Sequence, residues 1–315
     1  MRIYRSLEEI PDGAFAGGTV IAIGKFDGLH LGHQALLADV ARVAAERGLE
    51  PVVFTFENNP LGLLDPERCP DAIMSPEQRL AALEQAGTST CVMVPFDREL
   101  ASVTADAFIR DVLVGTLHAG HLSVGENFRF GNRGAGDATL LAAAGAELGF
   151  TVRVVERVED PVLGPISSSR IRAAIVQGDV ATAARMMGRP AAVTGTVVHG
   201  EARGRELGFP TANLGGEIGG LVPSDGIYAG WVMIDGVRHE AAISVGVNLT
   251  FDPSGDPSVE AYVLDFSGDL YGKVIEVQFV ERLRGMVAFA GVEALIERIH
   301  EDVRQTRAIL VGQHA

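Results

Sequence analysis

Residues 19–34 read TVIAIGKFDGLHLGHQ. An apolar, partly β-branched run ends at Gly24, and the next eleven residues place His30 and His33 three apart among glycines at 24, 28 and 32. Beyond them Leu36, Leu37, Val40, Val43 and Ala44 fall at helical spacing, and the pattern closes near Gly48. The stretch therefore reads as a strand that hands over to a helix through a glycine-rich turn. Glycines in that place let backbone N–H groups approach phosphate oxygens, and the helix N-terminus adds a favourable dipole. Two imidazoles there can donate hydrogen bonds to a phosphoryl group as charge builds on it. The same spacing also suits two packed or capping histidines, or half of a metal site, and spacing alone leaves all of these open.

Working outward, PVVFTF (51–56), CVMVPF (91–96), HLSVG (121–125) and TVRVVERV (151–158) repeat the apolar theme, with helical patterns between most of them. PVVFTF shows no alternation, as a strand buried on both faces should. Strand and helix taking turns predicts an α/β fold with a doubly wound parallel sheet, whose ligands bind beyond the carboxyl ends of the strands. Near residue 188 the texture changes. GTVVHG (195–200), GIYAGWVMI (226–234), EAAISVGV (240–247), VEAYVLDF (259–266) and VIEVQFV (274–280) are short strand candidates punctuated by glycine and proline. They predict a small antiparallel β-barrel, closed by a C-terminal helix with Val292, Leu295, Ile296, Ile299 and Val303 on one stripe. Two domains follow, 1–186 and 187–315.

A net charge of −15 spread along the chain argues against general affinity for nucleic acid or anionic membranes, which reward clustered Lys and Arg. Cys69 and Cys91 lack metal-ligand spacing and disulfide density, so each is expected to be a buried, reduced thiol. The start MRIYRSLEEI is too polar for what a signal peptide is expected to look like, and no apolar run reaches the roughly 18 residues of a membrane span. A cytoplasmic protein without nucleic-acid or membrane partners is expected; a homo-oligomer is compatible with the sequence.

HLGH (30–33), after a strand and opening a helix, resembles the HxGH motif of the nucleotidyltransferase superfamily. The longer GKFDGLHLGHQ is similar to its form in bacterial bifunctional riboflavin kinase/FAD synthetases. VGENFRFG (124–131) resembles that family's flavin- and nucleotide-binding loop, and ISSSRIR (166–172) its ISSTxIR-type element. The resemblance implies that His30 and His33 contact ATP phosphates and stabilise the transition state as the FMN phosphate attacks the α-phosphorus. It implies that backbone around Gly24, Phe26 and Asp27 shapes the nucleotide pocket and that Asn127 adds polar contacts. Ser168, Ser169 and Arg172 would cradle phosphate, the arginine by a charge-assisted fork. Read without the family, the serines are a helix N-cap, and a capped N-terminus is also an anion site.

One departure stands out. The family usually carries Pro-His-Pro after the second strand, where this chain reads TFENNP (55–60), with Asn58 and Asn59 in place of the Pro and His. Asparagine hydrogen-bonds but carries no positive charge. An alternative therefore keeps the kinase but gives the first module another nucleotide or flavin, or no activity.

In the second half, GEARGRELGFPTANL (200–214) is the strongest signal. A loop rich in Gly and Arg can fold over phosphates, while a Thr hydroxyl beside an Asn amide can ligate Mg²⁺ and phosphate. On the residues alone, Arg203 and Arg205 decorate a solvated loop and Glu260 is an outward glutamate on a half-buried strand. LGFPTANL resembles the PTAN motif of riboflavin kinases, and DGIYAGWV, ISVGVNLTF, VEAYVLDFSGDLYG and RLRGMVAF keep that family's spacing. The resemblance implies Thr211 and Asn213 as Mg²⁺ and phosphate ligands, with Gly204 and Arg205 at the nucleotide phosphates. Glu260 would be the base for the flavin's ribityl 5′-hydroxyl, and Arg284, Met286 and Phe289 would lie near the flavin. Leu249 replaces the proline of the family's NPTF, a local loop change. Riboflavin, FMN and ATP are the implied substrates and Mg²⁺ the implied cofactor. A flavin- or nucleotide-binding regulator, a third reading, would have lost Thr211, Asn213 or Glu260; all three are present.

Overall fold

A computed structural model describes residues 1–200, 204, 207–246 and 258–311. Packing divides the chain into two units, residues 1–72 with 76–167, and residues 73–75 with the chain from 168 onward.

The first unit is built on β1 (Arg2–Tyr4), β2 (Thr19–Ile23), β3 (Glu50–Phe56), β4 (Thr90–Val94), β5 (Ala119–Gly125) and β6 (Thr151–Val155). All pair in parallel, in the order β1-β4-β3-β2-β5-β6. Every residue of β2 is buried, because the sheet is covered on both faces. Ile21, Ile23, Phe54, Val92 and Leu122 join one core with Phe108, Ile109, Leu113 and Leu141. Val20, Ala22, Val53 and Met93, displaced by one residue, face the other way and are equally buried. Helix α1 (Leu31–Arg47) packs on β2, β3 and β5, and ends at Gly48, whose φ of 66° is the left-handed cap glycine tolerates.

The strand order reverses about β2: β3 and β4 lie to one side, β5 and β6 to the other. In such a sheet that reversal opens a crevice at the carboxyl ends of the strands, which is where GKFDGLHLGH begins. The edge strand β1 and a nine-residue π-helix, Phe108–Thr116, were not legible in the sequence. The strand predicted over 151–158 stops at Val155 and that over 91–96 at Val94. Cys91 is buried, and burial pushes its thiol up to about 12; Cys69 is only half-buried, contrary to expectation, and both are free.

The second unit begins with α2 (Ser168–Val176) and α3 (Val180–Met187), which pack on each other. Six antiparallel strands follow: β7 (Ala191–Val198), β8 (Thr211–Gly219), β9 (Gly226–Ile234), β10 (Val237–Gly246), β11 (Ser258–Val263) and β12 (Val274–Arg284). They close into a barrel in the order β7-β8-β11-β10-β9-β12. Alternate residues such as Val197, Leu214, Ile243, Ala261 and Phe279 fill its interior. The C-terminal helix α4 (Val292–Leu310) packs on β9, β10 and β12. Its predicted apolar stripe is not its buried face: Val292 is 42% exposed, whereas Asp302, Thr306 and Leu310 are buried. Leu295 and Ile299 line a cleft instead of packing into a core.

Candidate active sites

His30 is the N-cap of α1, and its Nδ1 accepts from the His33 main-chain N–H at 3.2 Å. A neutral imidazole that accepts at Nδ1 carries its proton on Nε2. The two rings stack, 3.7 Å between centroids and 13° from parallel, and Phe26 lies 5.2 Å from the His33 ring. Gly32 permits this, since a Cβ there would meet the His30 ring at 3.1 Å; one at Gly24 would meet Phe26 at 3.2 Å. Phe26 and Leu29 take left-handed φ values of 51° and 35° and are nonetheless buried. Non-glycine residues hold such angles only where their surroundings over-determine them.

Beside this turn the first unit has an apolar cleft of about 690 Å³, lined among others by Phe56, Phe96, Phe108, Phe128 and Phe130. Phe128 and Phe130 stack at 5.5 Å, and Phe56 meets Phe96 edge-on at 5.3 Å. Asn132 ties the segment after Phe130 down, its N–H to Val103 O at 2.7 Å and its Nδ2 to Ala101 O at 2.9 Å. Asn58 pairs its amide with the backbone of Phe96, donating to its carbonyl at 3.0 Å and accepting from its N–H at 2.7 Å. Asn59 caps the short helix Pro60–Leu64, its Oδ1 accepting from the Leu61 N–H at 3.2 Å. Both asparagines are thus backbone fasteners. The aromatic lining escaped the sequence reading, although Phe128 and Phe130, two apart in NFRF, were a signal for one face of an extended segment.

Asp27 is half-buried, and Asn127 is exposed in the turn after β5. Ser168, Ser169 and Arg172 stand in the first turns of α2, in the second unit, with Ser168 and Arg172 half-buried and Ser169 exposed.

In the barrel, the outward positions form the site. Thr211 and Asn213, two apart on β8, face Glu260 on β11, where Asn213 and Glu260 are cross-strand partners. Thr211 Oγ1 donates to Glu260 Oε2 at 3.2 Å, and Ser258 Oγ to Oε1 at 3.1 Å. The register continues from Glu260 to Ser244, Ile227 and Arg284, one residue from each successive strand. A Cβ at Gly200 would meet the Asn213 amide at 2.8 Å, so the bare position makes room for it. Thr211, Glu260, Ser244, Ile227 and Arg284 border a cleft of about 1010 Å³ between the outer face of the barrel and α4, lined also by Gly204, Tyr262, Met286, Phe289, Leu295 and Ile299. Gly204 closes on Phe209, whose N–H donates to its carbonyl at 2.7 Å. Phe209 in turn packs edge-on against Tyr262 and His300.

Arg284 reaches the cleft, but its guanidinium is engaged. Asp302, 4% exposed at its side chain, takes Nε at 3.0 Å and Nη2 at 2.7 Å, and the Phe289 ring lies 5.8 Å from its Cζ. Asp302 was missed in the sequence because a buried aspartate on a helix looks there like a solvated one. Arg205 and Leu249 lie outside the described residues. Among the described residues no cluster of His, Cys, Asp and Glu would hold a metal by itself, and no helix is long and apolar enough to cross a membrane.

A histidine pair at a sheet's topological switch and an oxygen-donor cluster on a closed antiparallel barrel, carried by one chain, define a class of protein with a doubly wound α/β unit followed by a barrel unit. Known proteins narrow the class. The FAD synthetase family profile matches residues 13–170 and the riboflavin kinase profile residues 187–310. The bifunctional riboflavin kinase/FMN adenylyltransferase of Listeria monocytogenes is 35% identical over 92% of this chain and 91% of its own length. Those of Pseudomonas fluorescens and Escherichia coli are 37% and 34% identical, covering 93% and 96% of both chains. A crystal structure from Streptococcus pneumoniae, described as a macrolide-efflux protein, superposes with a TM-score of 0.84 at 32% identity, over 97% of this chain and 98% of its own. The chain belongs to the bifunctional riboflavin kinase/FMN adenylyltransferase family.

Proposed function

We propose that residues 187–315 phosphorylate riboflavin with ATP to give FMN and ADP, and that residues 1–186 join FMN to the AMP part of a second ATP, releasing pyrophosphate. Thr211 and Glu260 at the border of a partly apolar cleft, with Asn213 beside Glu260 across the strands, carry the kinase half. In that half, Glu260 accepts the proton of the ribityl 5′-hydroxyl as its oxygen attacks the γ-phosphorus and the bond to ADP breaks. Met286 and Phe289 offer apolar contact to the flavin ring, and Arg284 holds their loop against α4 through Asp302. Hydroxyl, amide and carboxylate oxygens are the hard donors that Mg²⁺ takes, so Thr211 and Asn213, with Glu260 adjacent, suit it. When bound, the ion neutralises charge on the phosphate oxygens.

In the first unit, the FMN phosphate oxygen attacks the α-phosphorus of ATP, and the α–β bridging oxygen leaves with pyrophosphate. His30 offers its Nε2–H to the oxygens that gain charge, and the turn through Gly24, Phe26 and Asp27 receives the nucleotide. Asn127 supplies a polar contact, with the aromatic cleft as the seat of the flavin. Gly204 and Arg205 take a phosphate-binding role in the kinase half.

The test is to incubate the full chain with riboflavin, Mg²⁺ and ATP and resolve the flavins by chromatography. FAD as end product supports both halves. FMN that never proceeds to FAD removes the second reaction, and absence of FMN removes the first.

A further inference from the structure

Arg79 belongs to the helix Pro76–Gln85 and is 6% exposed. Its Nη1 donates to the carbonyl of Lys25 at 2.9 Å and its Nη2 to the carbonyl of Glu57 at 2.7 Å. Lys25 immediately precedes Phe26 in the strained turn, and Glu57 immediately precedes Asn58 and Asn59. One guanidinium thus spans the carboxyl ends of neighbouring strands β2 and β3, from which the histidine turn and the asparagine fasteners emerge. Thr55 Oγ1 adds a second donor to the Lys25 carbonyl at 3.3 Å.

A buried cation is costly to keep, and a side chain that merely filled this space would be apolar. Burial draws the Arg79 guanidinium below its ordinary pKa, with Asp27 the leading charge that opposes this. What the cation supplies is a pair of charge-assisted hydrogen bonds of fixed geometry, aimed at carbonyls that follow two neighbouring strands. The Phe26 and Leu29 backbone angles need such restraint.

We propose that Arg79 is a positioning residue for adenylyl transfer: it clamps the Lys25 and Glu57 carbonyls and so fixes the histidine turn relative to the Asn58–Asn59 segment. The inference rests on the adenylyl-transfer reading of the first unit. Arg79 acts through the two loops and touches no reacting atom.

The full-length chain carries its own control, because FMN formation in the barrel does not depend on this clamp. Arg79→Met keeps the length and loses the donors. It is expected to lower kcat for FAD formation, at saturating ATP and FMN, by about tenfold or more, with riboflavin phosphorylation within about twofold of the parent. Arg79→Lys, which keeps a cationic donor but not the fork, is expected to recover part of that loss. An unchanged kcat in Arg79→Met overturns the proposal, and so does an Arg79→Lys chain no better than Arg79→Met. If Arg79→Met loses the cooperative unfolding of the first unit, Thr55→Val takes over, as it removes only the second donor to Lys25. A kcat lowered about threefold then supports the clamp, and an unchanged one overturns it. A parent chain that forms no FAD removes the adenylyl-transfer reading itself, and the inference with it.

Discussion

The main-chain N–H of His33 donates to Nδ1 of His30, so the second histidine of the pair sets where the first carries its proton. The contact exists because His30 ends the turn as an N-cap while His33 lies in the first turn of the helix. Capping and phosphate chemistry, which the spacing left as rival readings, are compatible in this arrangement: the capping bond leaves Nε2–H as a donor.

Replacing His30 by asparagine keeps a capping oxygen and takes away that donor. FAD formation from supplied FMN is expected to fall about 10²–10³-fold in His30→Asn, the loss typical of a missing transition-state donor, with riboflavin phosphorylation unchanged. Steady-state rates of both reactions on one preparation check it.

Glu260→Gln retains shape and hydrogen bonding but cannot take up the hydroxyl proton. Riboflavin phosphorylation is expected to fall about 10²–10⁴-fold, while FAD formation from supplied FMN persists. A variant that phosphorylates riboflavin at the parent rate would assign the proton transfer to another group.

Asn58→Ala releases the backbone of Phe96, whose ring forms part of the aromatic cleft. These hydrogen bonds are exposed, so water takes the place of the amide and their loss costs about 0.5–1.5 kcal/mol. The KM for FMN in adenylyl transfer is expected to rise more than kcat falls, which separates a wall residue from one that acts on phosphate.

Asp302→Ala strips the half-buried Arg284 of its fork and Arg298 of its partner. The second unit is expected to lose about 1–3 kcal/mol of stability, less than a fully buried pair broken on one side because both guanidinium groups keep some access to water. A denaturant titration followed by Trp231 fluorescence measures it, and the KM for riboflavin is expected to rise as the loop carrying Met286 and Phe289 loosens.

His121 is buried, with Nδ1 2.6 Å from Thr151 Oγ1, and burial, aided by the charge of Arg47, holds its pKa below the ordinary imidazole value. The unfolded chain takes up a proton near pH 6.5 that the folded ring resists, so stability falls as pH drops through that value toward the folded pKa. Thermal midpoints between about pH 7.5 and 5.5 are expected to decline more steeply for the parent than for His121→Asn.

The sheet and the barrel were legible because their strands carry their own periodicity: five buried residues in TVIAI, strict alternation around Glu260. His30, His33, Thr211, Asn213 and Glu260 were singled out through the HLGH and PTAN motifs and the family's spacing; on the residues alone the histidine pair stayed open and Glu260 read as an outward glutamate. What stayed hidden depends on pairing across long separations. Asn58 with Phe96, Arg79 with Lys25 and Arg284 with Asp302 leave no local pattern, since a polar side chain that seeks a distant carbonyl or carboxylate reads like one that seeks water. Helix α4 misled for the same reason: its apolar stripe borders a cleft, and its tightest contact is an aspartate.

The register that carries Asn213, Glu260, Ser244, Ile227 and Arg284 across five strands has a consequence for how this surface changes over time. Neighbouring strands stand about 4.8 Å apart, so the row works as a ruler with its divisions set by the main chain. A substitution can alter what stands at one division without moving the others. A slip of one residue in any strand erases its mark altogether, turning Ala261 or Val245 to the cleft and a polar group to the interior. Such a surface is open to retuning one side chain at a time and closed to gradual drift in geometry.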